Sequence, residues 1–142
     1  MSEIKFATIG TSKITKTFLS AASNVPGFEL EATYSRNIKN AIEFGTPYNV
    51  TKFYDSLKAL AEDRTIDAVY IASPNAFHCS QAIQMMKAGK HVLCEKPMAT
   101  TLKDCQMMVD TAEQMGKKLM IGQNQRFAKA HAEAKRLIER GD

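Results

Sequence analysis

Between Asp67 and Ala99 the chain reads DAVYIASPNAFHCSQAIQMMKAGKHVLCEKPMA, and this stretch decides the fold. Ala68 to Ala72 (AVYIA) is apolar on both faces, as a central parallel strand covered on each side must be. Pro74-Asn75 breaks it. Phe77, Ala82, Ile83 and Met86 then recur at helical spacing until Gly89, and His91 to Cys94 (HVLC) makes the next strand. Strand, helix and strand in this order form a right-handed crossover between parallel neighbours.

The same alternation continues in both directions. Ile4 to Ile9 is a strand ending at Gly10, and Ile14, Phe18, Leu19 and Ala22 share one helical face before Pro26-Gly27. Leu30 to Ser35 is a strand, Ile38 to Phe44 a short helix, and Val50 to Tyr54 a third strand, with Asp55 or Ser56 capping the helix of Leu57, Leu60 and Ala61. Downstream, Thr101 to Asp104 resembles a capping box opening a helix with Cys105, Met108, Val109, Ala112 and Met115 inward. Leu119 to Ile121 is a sixth strand, and a helix from about Ala130 to Arg140 presents Ala134, Leu137 and Ile138. The expected fold class is α/β, a doubly wound parallel sheet of about six strands. The eight methionines sit mostly at helical-face spacing and read as core filling.

Composition narrows the function. With 142 residues, 44% hydrophobic and 24% charged, the chain is neither disordered nor of low complexity. One domain of this length buries roughly two-thirds of its unfolded surface without disulfides or metal. The net charge of +4 is dispersed, and even Lys129 to Arg140 is interleaved with Glu133 and Glu139. No basic stripe alternates with aromatics, so nucleic acid is not an expected partner. Cys79, Cys94 and Cys105 show neither CxxC spacing nor a zinc-finger histidine pattern, which points to a reducing compartment and no metal. Met1-Ser2-Glu3-Ile4-Lys5 leads straight into a strand without a signal-peptide core, and no apolar run approaches the roughly 20 residues of a membrane span. The expected location is cytoplasmic.

The chemistry gathers where strands end. Gly10-Thr11-Ser12-Lys13-Ile14-Thr15 is the first strand-to-helix turn. In dinucleotide-binding folds, glycines in this turn let the backbone approach a pyrophosphate, which the helix N-terminus then binds. Here only the first glycine is kept, with Ser12 and Thr15 in the other two places. Their small hydroxyl side chains still permit approach. After the second strand the chain reads Tyr34-Ser35-Arg36-Asn37, where NAD binders often carry an acidic residue for the ribose. The planar fork of Arg36 suits a 2′-phosphate or stacking on adenine, so NAD or NADP is the expected cofactor, with NADP favoured.

Three blocks then stand in fixed order: Ala72-Ser73-Pro74-Asn75 with His78, Ala88-Gly89-Lys90-His91-Val92-Leu93, and Glu95-Lys96-Pro97. Together with Ser35-Arg36 and Asn124-Gln125-Arg126-Phe127, they closely resemble the nucleotide-binding half of the Gfo/Idh/MocA oxidoreductases. The resemblance covers the whole chain, with the degenerate glycine turn as its main departure. It implies a Rossmann-like dinucleotide-binding domain over 1–123 and a connecting segment and helix over 124–142, leading toward a C-terminal α/β substrate domain absent from this chain. It also implies residue roles. Ala72 to Asn75 and His78 would line the phosphate and nicotinamide-ribose side, and Glu95 would hold the ribose or the substrate end. Lys96 would be the catalytic residue facing substrate, its direction fixed by a Lys96–Pro97 bond that is often cis in such proteins, and Arg126 would shape the cleft. A lysine partly desolvated beside an oxidised nicotinamide can join a proton relay during hydride transfer. Lys96 also fits an exposed lysine after a strand, and His78 a packed helix residue; His91 reads as structural, and the cysteines lack a paired base.

The expected function is thus the nicotinamide-binding half of an oxidoreductase acting on a sugar, polyol or related alcohol, inactive as this fragment alone. The alternative is a non-catalytic nucleotide-binding or interaction module, which the single retained glycine favours. Either way, apolar surface left open where a second domain would dock favours self-association into a homo-oligomer.

Overall fold

The computed structural model describes residues 3–141; Met1, Ser2 and Asp142, with the N-terminal and C-terminal readings that touch them, lie outside the described residues. Six strands form one sheet: β1 (Ile4–Ile9), β2 (Phe28–Tyr34), β3 (Lys52–Tyr54), β4 (Ala68–Ile71), β5 (His91–Cys94) and β6 (Leu119–Ile121). All neighbours pair in parallel, in the order β3-β2-β1-β4-β5-β6. The chain works outward from β1 to β3, then returns to place β4 against the other side of β1. This reversal leaves a crevice at the carboxyl ends of β1 and β4, the place where doubly wound sheets take ligands.

Five helices connect the strands and a sixth follows β6: α1 (Lys13–Ala22), α2 (Ile38–Gly45), α3 (Leu57–Glu62), α4 (His78–Lys87), α5 (Leu102–Met115) and α6 (Lys129–Arg140). Side chains alternate across each strand. One face of the sheet offers Ala7, Ile9, Ala32, Val69, Ile71, Val92 and Cys94, which pack with Leu60, Ala82, Met85, Met86 and Met108 from α3, α4 and α5. On the other face Phe6, Phe28 and Tyr70 surround Phe18 of α1, with ring centroids 3.9–6.3 Å apart. β4 is buried throughout, as its apolar run requires.

The caps follow the sequence. Ser56 accepts from the Ala59 amide, and Thr101 accepts from the Asp104 amide at 3.1 Å, while its hydroxyl donates to the Asp104 carboxylate. His91 is structural, its Nδ1 accepting the Lys118 N–H that starts the next strand pairing.

Several helix faces turn out rotated. Thr15, not Ile14, faces inward with Leu19 and Ala22. Phe77 lies in a 3-10 turn ahead of α4 and is exposed, whereas His78 and Gln81 take the buried positions. Val109 and Met115 face solvent and Thr111 turns inward. The methionines divide: Met85, Met86 and Met108 fill the core, while Met107, Met115 and Met120 are exposed, so uniform core filling does not hold. Helical spacing marks two adjacent stripes equally well, and only the packed neighbour selects one. α6 buries none of its residues; Leu137 and Ile138 remain open to solvent. No helix among the described residues is long and apolar enough to cross a membrane, and no group of three potential metal ligands occurs among them.

Candidate nucleotide site

A cavity of about 420 Å³ opens at the crevice between β1, β2 and β4. Gly10, Thr11 and Ser12 form one wall, Ser35 and Arg36 a second, and Ala72, Ser73 and Pro74 a third. Each group is a strand end followed by a turn, so the parallel sheet delivers all three to the same edge.

Gly10 shows why its place admits no side chain. Its φ is +110°, and a Cβ there would lie 2.6 Å from the Ala72 carbonyl oxygen. The β1 turn therefore passes directly beneath the β4 loop. Ser12 is the N-cap residue of α1, yet its hydroxyl caps no amide; it lies 3.4 Å from the Thr15 hydroxyl. The first amides of α1 have no partners within the helix, and the dipole adds positive character there. Lys13 and Ile14 contribute those amides, while their side chains are exposed and stand outside the cavity. Thr15 is fully buried and does not obstruct the opening.

Arg36 closes the far side. Its guanidinium carbon sits 6.0 Å from the centre of the Phe77 ring, giving a cationic and an aromatic surface at one rim. Beneath, the Tyr34 phenol is pushed up by burial, with Arg36 pulling the other way. Residues that the sequence did not single out complete the lining: Tyr34, Asn40, Leu57, Phe77 and Gln81. Gln81 accepts the Ser73 hydroxyl at 2.6 Å, tying α4 to the β4 loop.

The remaining candidates lie beyond this cavity. His78 is 1% exposed, its ring between the Ser73 carbonyl (Nε2, 2.9 Å) and the Pro97 carbonyl (Nδ1, 2.8 Å). It joins two loops instead of lining the opening, because the first turn of α4 carries it under them. Asn75 is exposed in the 3-10 turn, and Arg126 is exposed in a turn at Asn124–Phe127. Glu95 and Lys96 follow β5, next to β4 in the sheet, and the Lys96–Pro97 bond is cis. Glu95 is half-buried; Lys96 is exposed, and its ammonium has no ion-pair partner among the described residues. The desolvation expected for Lys96 is not supplied by this chain. Burial pushes the Cys94 thiol up to about 12 and raises Cys79 as well, so neither is poised as a nucleophile.

A dinucleotide fits these residues. An extended opening has amides and the Ser12 hydroxyl in the middle, a cation at one end, and a carboxylate with a lysine past the other.

Comparison with known proteins agrees. Residues 4–123 match the model of an oxidoreductase family described as NAD-binding Rossmann fold. The chain is 41% identical over 137 residues to a scyllo-inositol 2-dehydrogenase (NADP(+)) of Bacillus subtilis, covering 96% of this chain and 42% of that one. It is 33% identical to a 1,5-anhydro-D-fructose reductase of Ensifer adhaerens, again over 96% of this chain and 41% of the relative. Among solved structures, an NAD-binding protein from Listeria innocua superposes with a TM-score of 0.90 at 28% identity, covering 99% of this chain and 41% of that one. The scyllo-inositol dehydrogenase from Lactobacillus casei with bound NAD(H) and scyllo-inositol gives 0.88 at 25%, covering 99% and 42%. The chain thus spans about two-fifths of the length of these relatives. With this sheet order, this crevice and this match, the chain belongs to the Gfo/Idh/MocA oxidoreductase family and carries its NAD(P)-binding Rossmann domain.

Proposed function

We propose that the chain binds NADP(H) across the carboxyl edge of its sheet, as the cofactor half of an oxidoreductase acting on a sugar or polyol hydroxyl. The observation that carries this reading is Gly10, whose missing side chain lets the turn, the α1 amides and the Ala72–Pro74 loop meet around one opening. The substituted positions that favoured a non-catalytic module do not close it: Thr15 is turned into the core, and the Ser12 hydroxyl caps no amide.

In this reading the α1 amides and Ser12 hold the pyrophosphate. Arg36 and Phe77 take the adenosine end, where the guanidinium fork pairs with a 2′-phosphate. The B. subtilis relative whose name specifies NADP(+) supports that preference. Asn75 borders the path toward β5, Glu95 accepts from the nicotinamide-side ribose or the substrate end, and Arg126 shapes the cleft. Bound nicotinamide supplies the acceptor or donor for a hydride. Lys96 then takes or returns the hydroxyl proton at Nζ once a bound substrate and a second domain exclude water around it. Residues 124–142 lead toward that domain, which would supply the rest of the substrate pocket. The free cysteines suit a cytoplasmic setting, and the uncovered Met120, Leu137 and Ile138 suit assembly as a homo-oligomer.

Fluorescence titration of the 142-residue chain with NADPH and NADH tests the reading. Saturable binding with NADPH the tighter is expected, and Arg36→Ala should weaken NADPH about tenfold while changing NADH little. Absence of saturable binding at millimolar cofactor contradicts the assignment.

A further inference from the structure

The carboxylate of Glu95 is fixed from beneath by a residue that the cofactor reading does not use. Tyr70, in the middle of β4, is 1% exposed, and its hydroxyl donates to Glu95 Oε1 at 2.8 Å. The Lys96 amide donates to Oε2 at 3.3 Å. Gly122, just past β6, leaves the carboxylate room: a Cβ there would lie 3.0 Å from Oε1.

A buried phenol must place its O–H somewhere, and this strand of otherwise aliphatic residues carries one. Burial first, and the hydrogen bond to Glu95 second, hold the phenol far above its usual range, so it remains a donor. The ring is held in turn by Phe18 of α1, stacked at 3.9 Å between centroids and 9° between planes. An ionised carboxylate offers about four acceptor positions. Two are taken by the chain itself, which leaves Glu95 able to accept two further bonds, the demand of a vicinal diol.

We propose that Tyr70 is a positioning residue that aims Glu95 at the nicotinamide-side ribose, with Phe18 linking that aim to the helix whose first turn seats the pyrophosphate. This rests on the assignment of Glu95 to the ribose made above. A carboxylate free to rotate would have to be ordered when the cofactor binds; one already held by Tyr70 loses less freedom.

The test compares the wild-type chain, Tyr70→Phe, Glu95→Gln and the double variant in titrations with NADPH and with adenosine 2′,5′-bisphosphate, which lacks the nicotinamide half. Tyr70→Phe is expected to weaken NADPH about fivefold, to leave the bisphosphate unchanged, and to keep the thermal midpoint near wild type because the ring stack survives. Glu95→Gln is expected to weaken NADPH about tenfold, and the double variant should be no weaker than Glu95→Gln. Phe18→Leu, which keeps the hydroxyl but loosens the ring, should cost about twofold on NADPH alone. If Glu95→Gln weakens NADPH but Tyr70→Phe does not, or if Tyr70→Phe weakens both ligands equally, the positioning role is overturned. If Glu95→Gln binds NADPH like wild type, the ribose assignment itself fails and takes the proposal with it.

Discussion

The two ends of the parallel sheet use their polar groups in opposite ways. At the amino end, charges are spent on one another. Lys52 bridges Glu31 at 2.7 Å and Asp63 at 3.3 Å, and Lys5 reaches Glu31 at 3.0 Å. Asp63 also accepts from Tyr54 and Thr65. Lys90, 2% exposed, donates to the carbonyls of Asp63 and Ile66. At the carboxyl end, the Ser12 hydroxyl caps no amide, Arg36 meets only a ring face, and Lys96 is exposed without an ion pair among the described residues. Internally satisfied groups hold a fold together, whereas unsatisfied ones wait for a ligand.

That contrast breaks if either end does the other's work. The largest effect is expected at Gly10, the one place where both roles meet. Gly10→Ala puts a methyl group 2.6 Å from a backbone oxygen at a φ that L residues avoid, so NADPH affinity should fall more than a hundredfold in a fluorescence titration. Unfolding free energy should drop with it by about 1–3 kcal/mol. A variant that still binds NADPH tightly would show that the turn is not the seat of the cofactor.

Next comes the amino end. Lys90→Met strands two buried carbonyls and is expected to cost about 2 kcal/mol in denaturant unfolding. NADPH affinity should not move, since Lys90 touches no part of the cavity. Loss of affinity in a variant that remains folded would mean the ends are coupled.

The smallest effect is a pH dependence. Burial works against ionisation of Asp63, but hydrogen bonds from Thr65, Tyr54 and Lys52 outweigh it and hold the carboxyl well below the usual range. Glu31 is lowered by Lys52 and then Lys5, against some burial. Both groups therefore bind protons less readily folded than unfolded. Their stabilisation is complete above the unfolded values, roughly pH 4, and is lost as pH falls through the folded ones. Unfolding midpoints measured from pH 6 to pH 2 should decline below about pH 4, and Asp63→Asn should flatten that decline. Equal slopes in both proteins would remove Asp63 from the account.

The same contrast explains what could be read from the sequence. Strands, caps and the three loops of Gly10–Ser12, Ser35–Arg36 and Ala72–Pro74 were legible because glycine, proline and apolar runs act locally. The rest depends on which distant segments converge. His78 looked like a ligand-facing residue, yet its partners are the carbonyls of Ser73 and Pro97, one of them nineteen positions away. Lys90 stands in the sequence only as part of the block Ala88 to Leu93, and the fold buries it with its ammonium on two carbonyls. Phe77 fits a core stripe with Ala82, Ile83 and Met86, but it lies in a 3-10 turn ahead of α4 and lines the cavity instead. Tyr70 carried the one available signal, a hydroxyl in an aliphatic strand; its partner Glu95 comes from the neighbouring strand, and only the sheet order supplies that.

The most direct test of the division follows backbone amide shifts by NMR while NADPH is added to the 142-residue chain. Large, saturable changes are expected at Gly10 to Thr15, Ser35 to Asn40 and Ala72 to Phe77, with smaller ones at Glu95 and Lys96. Lys5, Glu31, Lys52 and Asp63 should stay still. Changes concentrated on those amino-end residues, or none anywhere at saturating cofactor, would contradict the account.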